Sequence, residues 1–173
     1  MNKNDEKFYG FIDSPLGKIY IVATCDALKE IYFGDDNKFN EKIFQQGLID
    51  HEGKNEIVNN TSVQLLEYFQ GKRDKFDIPL SPDGTEFQKK VWNELLKIPY
   101  GEVICYEEQA IGLGDKKKVR AVGGANSKNP IGIIIPCHRV VGKNGSLTGY
   151  AGGLAAKDFL LKHEKKHKLK DEI

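Results

Sequence analysis

Between residues 7 and 33 apolar and polar positions alternate at the two-residue period of strands. Segments 7–13 and 18–24 flank a Ser14-Pro15-Leu16-Gly17 turn and 28–33 continues the pattern, which predicts an antiparallel meander. The period then lengthens to a helical one over 38–46 and 61–70, the second segment carrying Leu65, Leu66 and Phe69 on one side and stopping at Gly71. These elements make residues 1–80 an α/β domain. Pro79, Pro82 and Gly84 mark a linker, past which residues 81–173 form a second domain.

Helical patterning dominates beyond the linker. Thr85-Glu86-Phe87-Gln88 has the spacing of a capping box, and Phe87, Val91 and Leu95 give the helix a buried stripe that ends at Pro99 and Gly101. Two short helices, 106–111 and 117–126, are separated by Gly112-Leu113-Gly114-Asp115, and the second begins with basic residues. That is a helix-turn-helix pattern. An Asn144-Gly145 step between the short apolar runs of 140–147 predicts a hairpin suited to be a wing. A closing helix over 154–163 carries Leu154, Phe159, Leu160 and Leu161, so the second domain is predicted to be a mainly α winged helix-turn-helix; no internal repeat or low-complexity segment interrupts it.

Composition narrows the class. A chain of 173 residues with 39% hydrophobic residues can bury a core for one domain or two small ones. No apolar run is long enough to span a bilayer, and Met1-Asn2-Lys3-Asn4-Asp5-Glu6-Lys7 lacks the apolar core of a signal peptide, so a cytoplasmic, nucleoid-accessible location without membrane partners is expected. Cys25, Cys105 and Cys137 are odd in number and widely spaced, which fits reduced thiols and neither a disulfide framework nor a zinc site. Acceptor triplets at Asn59, Asn60 and Asn144 are then chance matches. The net charge of +1 conceals an asymmetry: residues 1–81 carry 10 basic and 14 acidic side chains, and 82–173 carry 16 and 11. The second half suits a polyanion, whereas the lysines of 162–170 read on their own as a solvated surface.

The densest chemistry lies in Ile133-Ile134-Ile135-Pro136-Cys137-His138-Arg139-Val140-Val141. A thiol becomes a strong nucleophile as thiolate, and His138 and Arg139 are the neighbouring groups able to favour that form. Adjacent residues on a regular element point apart, so Cys137 and His138 need a turn or a bridging water to cooperate. A small buried hydrophobe is the competing reading of Cys137. The second helix of the helix-turn-helix is also unusual, because Arg120-Ala121-Val122-Gly123-Gly124-Ala125-Asn126 is poor in side chains that read a major groove. A Gly/Ala face allows close approach to a minor groove while Arg120 fills the place of a displaced base; equally, such a face packs against another helix.

Taken together, Ile135-Pro136-Cys137-His138-Arg139-Val140, Arg120-Ala121-Val122-Gly123-Gly124-Ala125, Asn129-Pro130, Gly149-Tyr150-Ala151-Gly152-Gly153-Leu154 and Leu160-Leu161-Lys162-His163-Glu164 resemble the O6-alkylguanine-DNA alkyltransferase family. The resemblance covers residues 85–164, and Ser14-Pro15-Leu16-Gly17 suits it. It implies a ribonuclease H-like first domain and a repair protein that takes the alkyl group of O6-methylguanine, and of O4-methylthymine, irreversibly onto Cys137 after base flipping. Double-stranded DNA carrying the lesion is the implied partner, with a monomeric protein and no cofactor; no metal is expected, because no cluster of Cys and His suggests the zinc site some members carry in their first domain.

The resemblance also distributes roles. Cys137 is the nucleophile, His138 its base through a water, and Glu164 the carboxylate that orients His138. Asn129 holds the turn around the nucleophile, and Tyr106 contacts the flipped guanine and donates a proton as it leaves. Arg120 is the finger that fills the vacated stack, with Ala121 and Gly123 facing DNA. Val140, Tyr150, Ala151 and Gly152 form the guanine pocket; Ala151 stands where many members have Ser, at a contact made through backbone. Members with Trp in place of the cysteine bind lesions without repairing them, and Cys137 argues against that class. His163 and His167 are read as exposed surface. A Cys-His hydrolase would account for Cys137 and His138 but leaves the Arg120–Ala125 segment and the basic half unexplained, and a non-catalytic DNA-binding module leaves Cys137 unexplained.

Overall fold

Strand β2 (Gly17–Ala23) organises the first part of the chain because it is buried along both faces. It pairs antiparallel with β1 (Phe8–Ser14) and β3 (Leu28–Phe33), as the alternation predicts, and β1 also pairs in parallel with a two-residue strand, β4 (Ile49–Asp50), which the sequence pattern does not announce. The sheet order is β3-β2-β1-β4. The period-2 alternation sends Tyr20 and Val22 to one face, where they meet Phe39 of α1 (Asp36–Gln46) and Leu48. Tyr20 stacks on Phe39 with ring centroids 3.7 Å apart.

Helix α2 (Glu56–Phe69) packs on β1 and β2, and Gly10 permits the contact, since a Cβ there would stand 2.7 Å from Val58 Cγ1. This helix begins five residues before the predicted 61–70 segment, because Asn55 caps it: its Oδ1 accepts from Val58 N at 3.0 Å. The earlier start also corrects the stripe. Val58, Thr61, Leu65 and Tyr68 face the core, whereas Leu66 is 40% exposed.

The computed structural model describes residues 6–171, which form two units divided between Asp83 and Gly84. Residues 1–5 of the stretch read for a leader, and the side chains of 169–173 in the basic tail, lie outside the described residues. No described helix is long and apolar enough to cross a membrane.

The second unit opens with α3 (Glu86–Leu95), whose capping box forms through Thr85 and Gln88 and whose buried residues are Val91, Trp92 and Leu95. Strand β5 (Ile104–Cys105) leads into α4 (Tyr106–Gly112). A turn with Gly114 at φ 87 and a short 3-10 segment at Lys116–Lys118 connect it to α5 (Val119–Ser127), the second helix of the helix-turn-helix. The wing differs from the predicted hairpin. Residues 142–146 do make a closed turn, with Gly142 N donating to Ser146 O at 2.8 Å, but no strand returns from it. Instead β6 (Val140–Val141) pairs in parallel with β5, which satisfies the backbone that a hairpin partner would have taken. The last helix, α6 (Leu154–Asp171), runs past the predicted end at 163.

The buried and exposed leucines of α2 should separate on substitution. Leu65→Ala is expected to cost about 2–5 kcal/mol and Leu66→Ala less than about 0.5 kcal/mol, read as the shift in denaturant midpoint at unchanged slope. Equal losses would contradict the observed stripe.

Candidate active site

The apolar run before the cysteine is not a strand. It folds back on itself, Ile135 N donating to Ile131 O at 2.9 Å, with Ile133 at φ 72. A β-branched side chain in this left-handed region costs roughly 1–3 kcal/mol and persists only where surroundings over-determine it. Ile131, Ile133 and Ile135 are all buried, and Asn129 ties both ends of the turn. Its Nδ2 donates to Ile135 O at 2.8 Å while its Oδ1 accepts from Ile131 N at 3.0 Å. Pro136 then starts a single 3-10 turn, Cys137–Arg139, which supplies the break in regular geometry that Cys137 and His138 need.

Glu164 of α6 is fully buried and faces this turn. His138 Nε2 lies 2.7 Å from its Oε1, Arg139 donates from Nε to Oε2 at 2.9 Å and from its terminal nitrogen to Oε1 at 3.0 Å, and Gly101 N donates to Oε2 at 3.0 Å. Burial alone would push the carboxyl pKa up; His138 and Arg139 outweigh it and hold the group far below the usual carboxylate range. The His138 pKa is lowered, chiefly by burial, against the opposing pull of Glu164. A neutral imidazole at neutral pH follows. Its Nδ1 is enclosed and has no hydrogen-bond partner among the described residues, so it is the ring nitrogen left to exchange a proton.

Cys137 is 8% exposed. Burial pushes its thiol pKa up, opposed by a hydrogen bond with the Asn129 side chain and by the positive charge of Lys157. The cation near the sulfur is therefore Lys157. Arg139, the candidate beside it in sequence, is committed to Glu164 and, through its other terminal nitrogen, to Ile98 O at 2.6 Å. Lys157 is wholly buried on α6; its Nζ donates to Val140 O at 2.6 Å and to Thr148 O at 2.8 Å, and burial lowers its pKa. Sequence reasoning passed over it. The available signal was phase, because positions 157, 160 and 164 lie on one face of a helix, and the leucine and glutamate there are buried.

Tyr106, at the start of α4, donates to Thr148 O at 3.3 Å and accepts from Thr148 Oγ1 at 3.2 Å. It lines a cavity of about 330 Å³ with Val119, Gly123, Ser127, Thr148 and Gly149. The Lys157 ammonium stands 5.8 Å from its ring centroid, which links this cavity to the cysteine. Tyr150 sets its ring 6.3 Å from that of His138, nearly perpendicular, with its hydroxyl enclosed. Its pKa is raised well above 10, first by burial. Val140 is buried, Gly152 half-buried and Ala151 exposed. On α5, Arg120 and Ala121 face outward and Gly123 is half-buried.

The structure thus gathers Cys137, His138, Glu164 and Asn129 around one turn, with Val140 and Tyr150 beside it, and places Tyr106 and Gly123 at the neighbouring cavity. Arg120 and Ala121 stand apart on the open face of α5. Among the described residues no group of three or more His, Cys, Asp or Glu side chains is placed to hold a metal. His163, expected at the surface, is buried instead, stacked on Phe159 at 5.8 Å, with the His167 ring 4.3 Å away. His163 lies three residues past the buried Leu160 and next to the buried Glu164, which puts it on the packed side of α6.

Comparison with known proteins places this constellation. Residues 7–82 match the family model described as 6-O-methylguanine DNA methyltransferase, ribonuclease-like domain, and residues 86–166 match its DNA binding domain. A methylated-DNA–protein-cysteine methyltransferase of Methanosarcina acetivorans is 47% identical over 157 residues, 91% of this chain and 97% of that protein. The constitutive methylated-DNA–protein-cysteine methyltransferase of Bacillus subtilis is 42% identical over 159 residues, 91% and 95% of the two chains. Among solved structures, Mycobacterium tuberculosis OGT in complex with DNA superposes with a TM-score of 0.83 at 39% identity, covering 92% of this chain and 94% of that one. With each of the two units matched by a family model and a relative 47% identical over 91% of its length, the chain belongs to the 6-O-methylguanine DNA methyltransferase family.

Proposed function

We propose that this protein repairs DNA by taking the methyl group of O6-methylguanine, and of O4-methylthymine, onto the sulfur of Cys137. The observation that carries the reading is the chain Cys137, His138, Glu164: a thiol and a neutral imidazole on one 3-10 turn, the imidazole held by a buried carboxylate at 2.7 Å. His138 Nδ1 takes the thiol proton through a water, and Glu164 stabilises the imidazolium that results. Lys157 stabilises the thiolate by charge, and Asn129 by hydrogen bonding as well as by holding the turn. The thiolate then displaces guanine from the methyl carbon: a carbon–sulfur bond forms, the carbon–O6 bond breaks, and the electron pair leaves with the base. Tyr106 donates a proton to the departing guanine. The product is a thioether, which water does not cleave as it would a thioester, so each molecule acts once.

A thiol this enclosed reaches O6 only when the base has left the stack, a step that costs a few kcal/mol and less for a mispaired base. Helix α5 supports such a step. A Cβ on Gly124 would meet nothing within 4 Å, so the fold itself does not require glycine there; close approach of a DNA backbone does. Arg120 fills the vacated position, Ala121 and Gly123 lie against the minor groove, and Val140, Tyr150, Ala151 and Gly152 receive the base. We assign the working species as a monomer on double-stranded DNA in the cytoplasm, with residues 81–173 holding the chemistry and residues 1–80 forming a separate domain.

Incubation with duplex DNA containing O6-methylguanine is expected to add one methyl to the peptide carrying Cys137, and Cys137→Ser should bind the same duplex and leave it unrepaired. Mass spectrometry that finds the lesion gone and Cys137 unmodified would reject the assignment. Arg120→Ala should slow repair in duplex at least tenfold while the reaction with free O6-methylguanine base stays within twofold; equal losses exclude a finger.

His138 and Glu164 both have folded pKa values below their unfolded ones, so the unfolded chain takes up protons first as pH falls. Their stabilisation is fully present above about pH 6.5 and is lost on acidification, through His138 first and then, below about pH 4.3, through Glu164. Thermal midpoints should therefore fall steadily from pH 7 to pH 4. Glu164→Gln, which leaves the buried Arg139 guanidinium without a counter-charge, is expected to cost about 3–5 kcal/mol at pH 7 and to flatten the decline below about pH 4.3. A midpoint that rises on acidification contradicts the network.

A further inference from the structure

Helix α5 has little bulk with which to hold its place. Within Val119–Ser127 the buried residues are Val122, Ala125 and Asn126, whereas helices ordinarily fix their rotation and axial position by interdigitating large side chains. Directional polar bonds take over that task. Gln109 of α4 donates from Nε2 to Asn126 Oδ1 at 3.1 Å, and Asn126 donates from Nδ2 to Gln109 Oε1 at 2.7 Å, a reciprocal pair whose members are 1% and 6% exposed. Gln109 Nε2 also reaches Val91 O of α3 at 3.4 Å, and Trp92 Nε1 of the same helix donates to Ala125 O at 2.9 Å. A reciprocal amide pair is satisfied at one register only. Sliding α5 by one residue moves it about 1.5 Å and turns it about 100°, which would leave two buried amides unpaired. The face opposite the pair is the open one, with Arg120, Ala121 and Gly124 exposed.

We propose that Gln109 and Asn126 are positioning residues for repair in duplex DNA: their buried amide pair sets the rotation and axial position of α5, and so where Arg120 and the Gly123-Gly124 surface meet the duplex. The proposal rests on the reading of α5 as the duplex-facing helix. It separates DNA engagement from chemistry, because neither side chain is among the groups around the Cys137 sulfur.

The test compares the rate of methyl transfer from an O6-methylguanine duplex with that from free O6-methylguanine base. The double variant Gln109→Leu/Asn126→Leu removes both amides together and keeps comparable bulk, so no buried polar group is orphaned. It is expected to transfer methyl from free base within twofold of the parent and from duplex at least tenfold more slowly, with the loss in the DNA concentration needed for half-maximal rate. The length-swapped variant Gln109→Asn/Asn126→Gln keeps two facing amides and the same number of methylenes. It should hold the duplex-to-free-base ratio within threefold of the parent. An apolar variant that repairs duplex at the parent's rate, or loses both reactions equally, overturns the proposal. So does a tenfold collapse of the ratio in the swapped variant, whether or not the apolar one folds. Failure of the parent itself to methylate Cys137 would refute the functional reading instead.

Discussion

The buried carboxylate of Glu164 is the interaction on which the rest of the second unit depends. Taking it out of water is costly, and the cost is offset only because His138, Arg139 and the Gly101 amide all converge on its two oxygens. Each of those partners anchors a different segment. Arg139 extends the network to the carbonyl of Ile98, just past α3, and Gly101 belongs to the loop that precedes β5. One residue of α6 thereby fixes the cysteine turn and the end of the first helix of the unit. The same bonds hold the imidazole in place, so positioning and structural integrity at this site come from one set of contacts.

Polar groups do comparable work elsewhere in this unit. Lys157 is buried and spends its donors on the carbonyls of Val140 and Thr148. That arrangement ties the β6 strand to the loop carrying Thr148, whose hydroxyl in turn meets Tyr106. The ammonium therefore acts on the thiol through charge and on the cavity wall through geometry. The first unit is held differently, by a β2 strand buried on both faces and an aromatic cluster around Phe39. Directional bonding is concentrated where side chains must be aimed.

Much of this was legible in the sequence because it is local. The meander around Ser14-Pro15-Leu16-Gly17, the capping box at Thr85 and the two helices around Gly112–Asp115 are written in short-range period and turn chemistry. What escaped is written in long-range pairing. Strand β4 has two residues and exists through its neighbour β1, and β6 finds β5 rather than a hairpin partner. The start of α2 is obscured because the polar run Asn59-Asn60-Thr61-Ser62 separates Val58 from Leu65 on the buried stripe. At the site, Cys137 and His138 stood out by their chemistry, whereas Glu164, 26 residues from His138, was paired with it only through the family resemblance. Lys157 was hidden by its type, because a lysine is read as surface until its helical phase is compared with its neighbours.

The distance in sequence between the cysteine turn and α6 decides when the thiol gains its proton acceptor. Lys157 and the Glu164-held imidazole arrive only when the last helix docks. Before that, Cys137 is an ordinary thiol with a pKa of about 8.5. Docking also encloses the sulfur, and burial outweighs Lys157 and Asn129 and pushes its pKa up. A nucleophile that can be used once is thus kept protonated in the finished domain, with the imidazole that can take its proton fixed on the same turn.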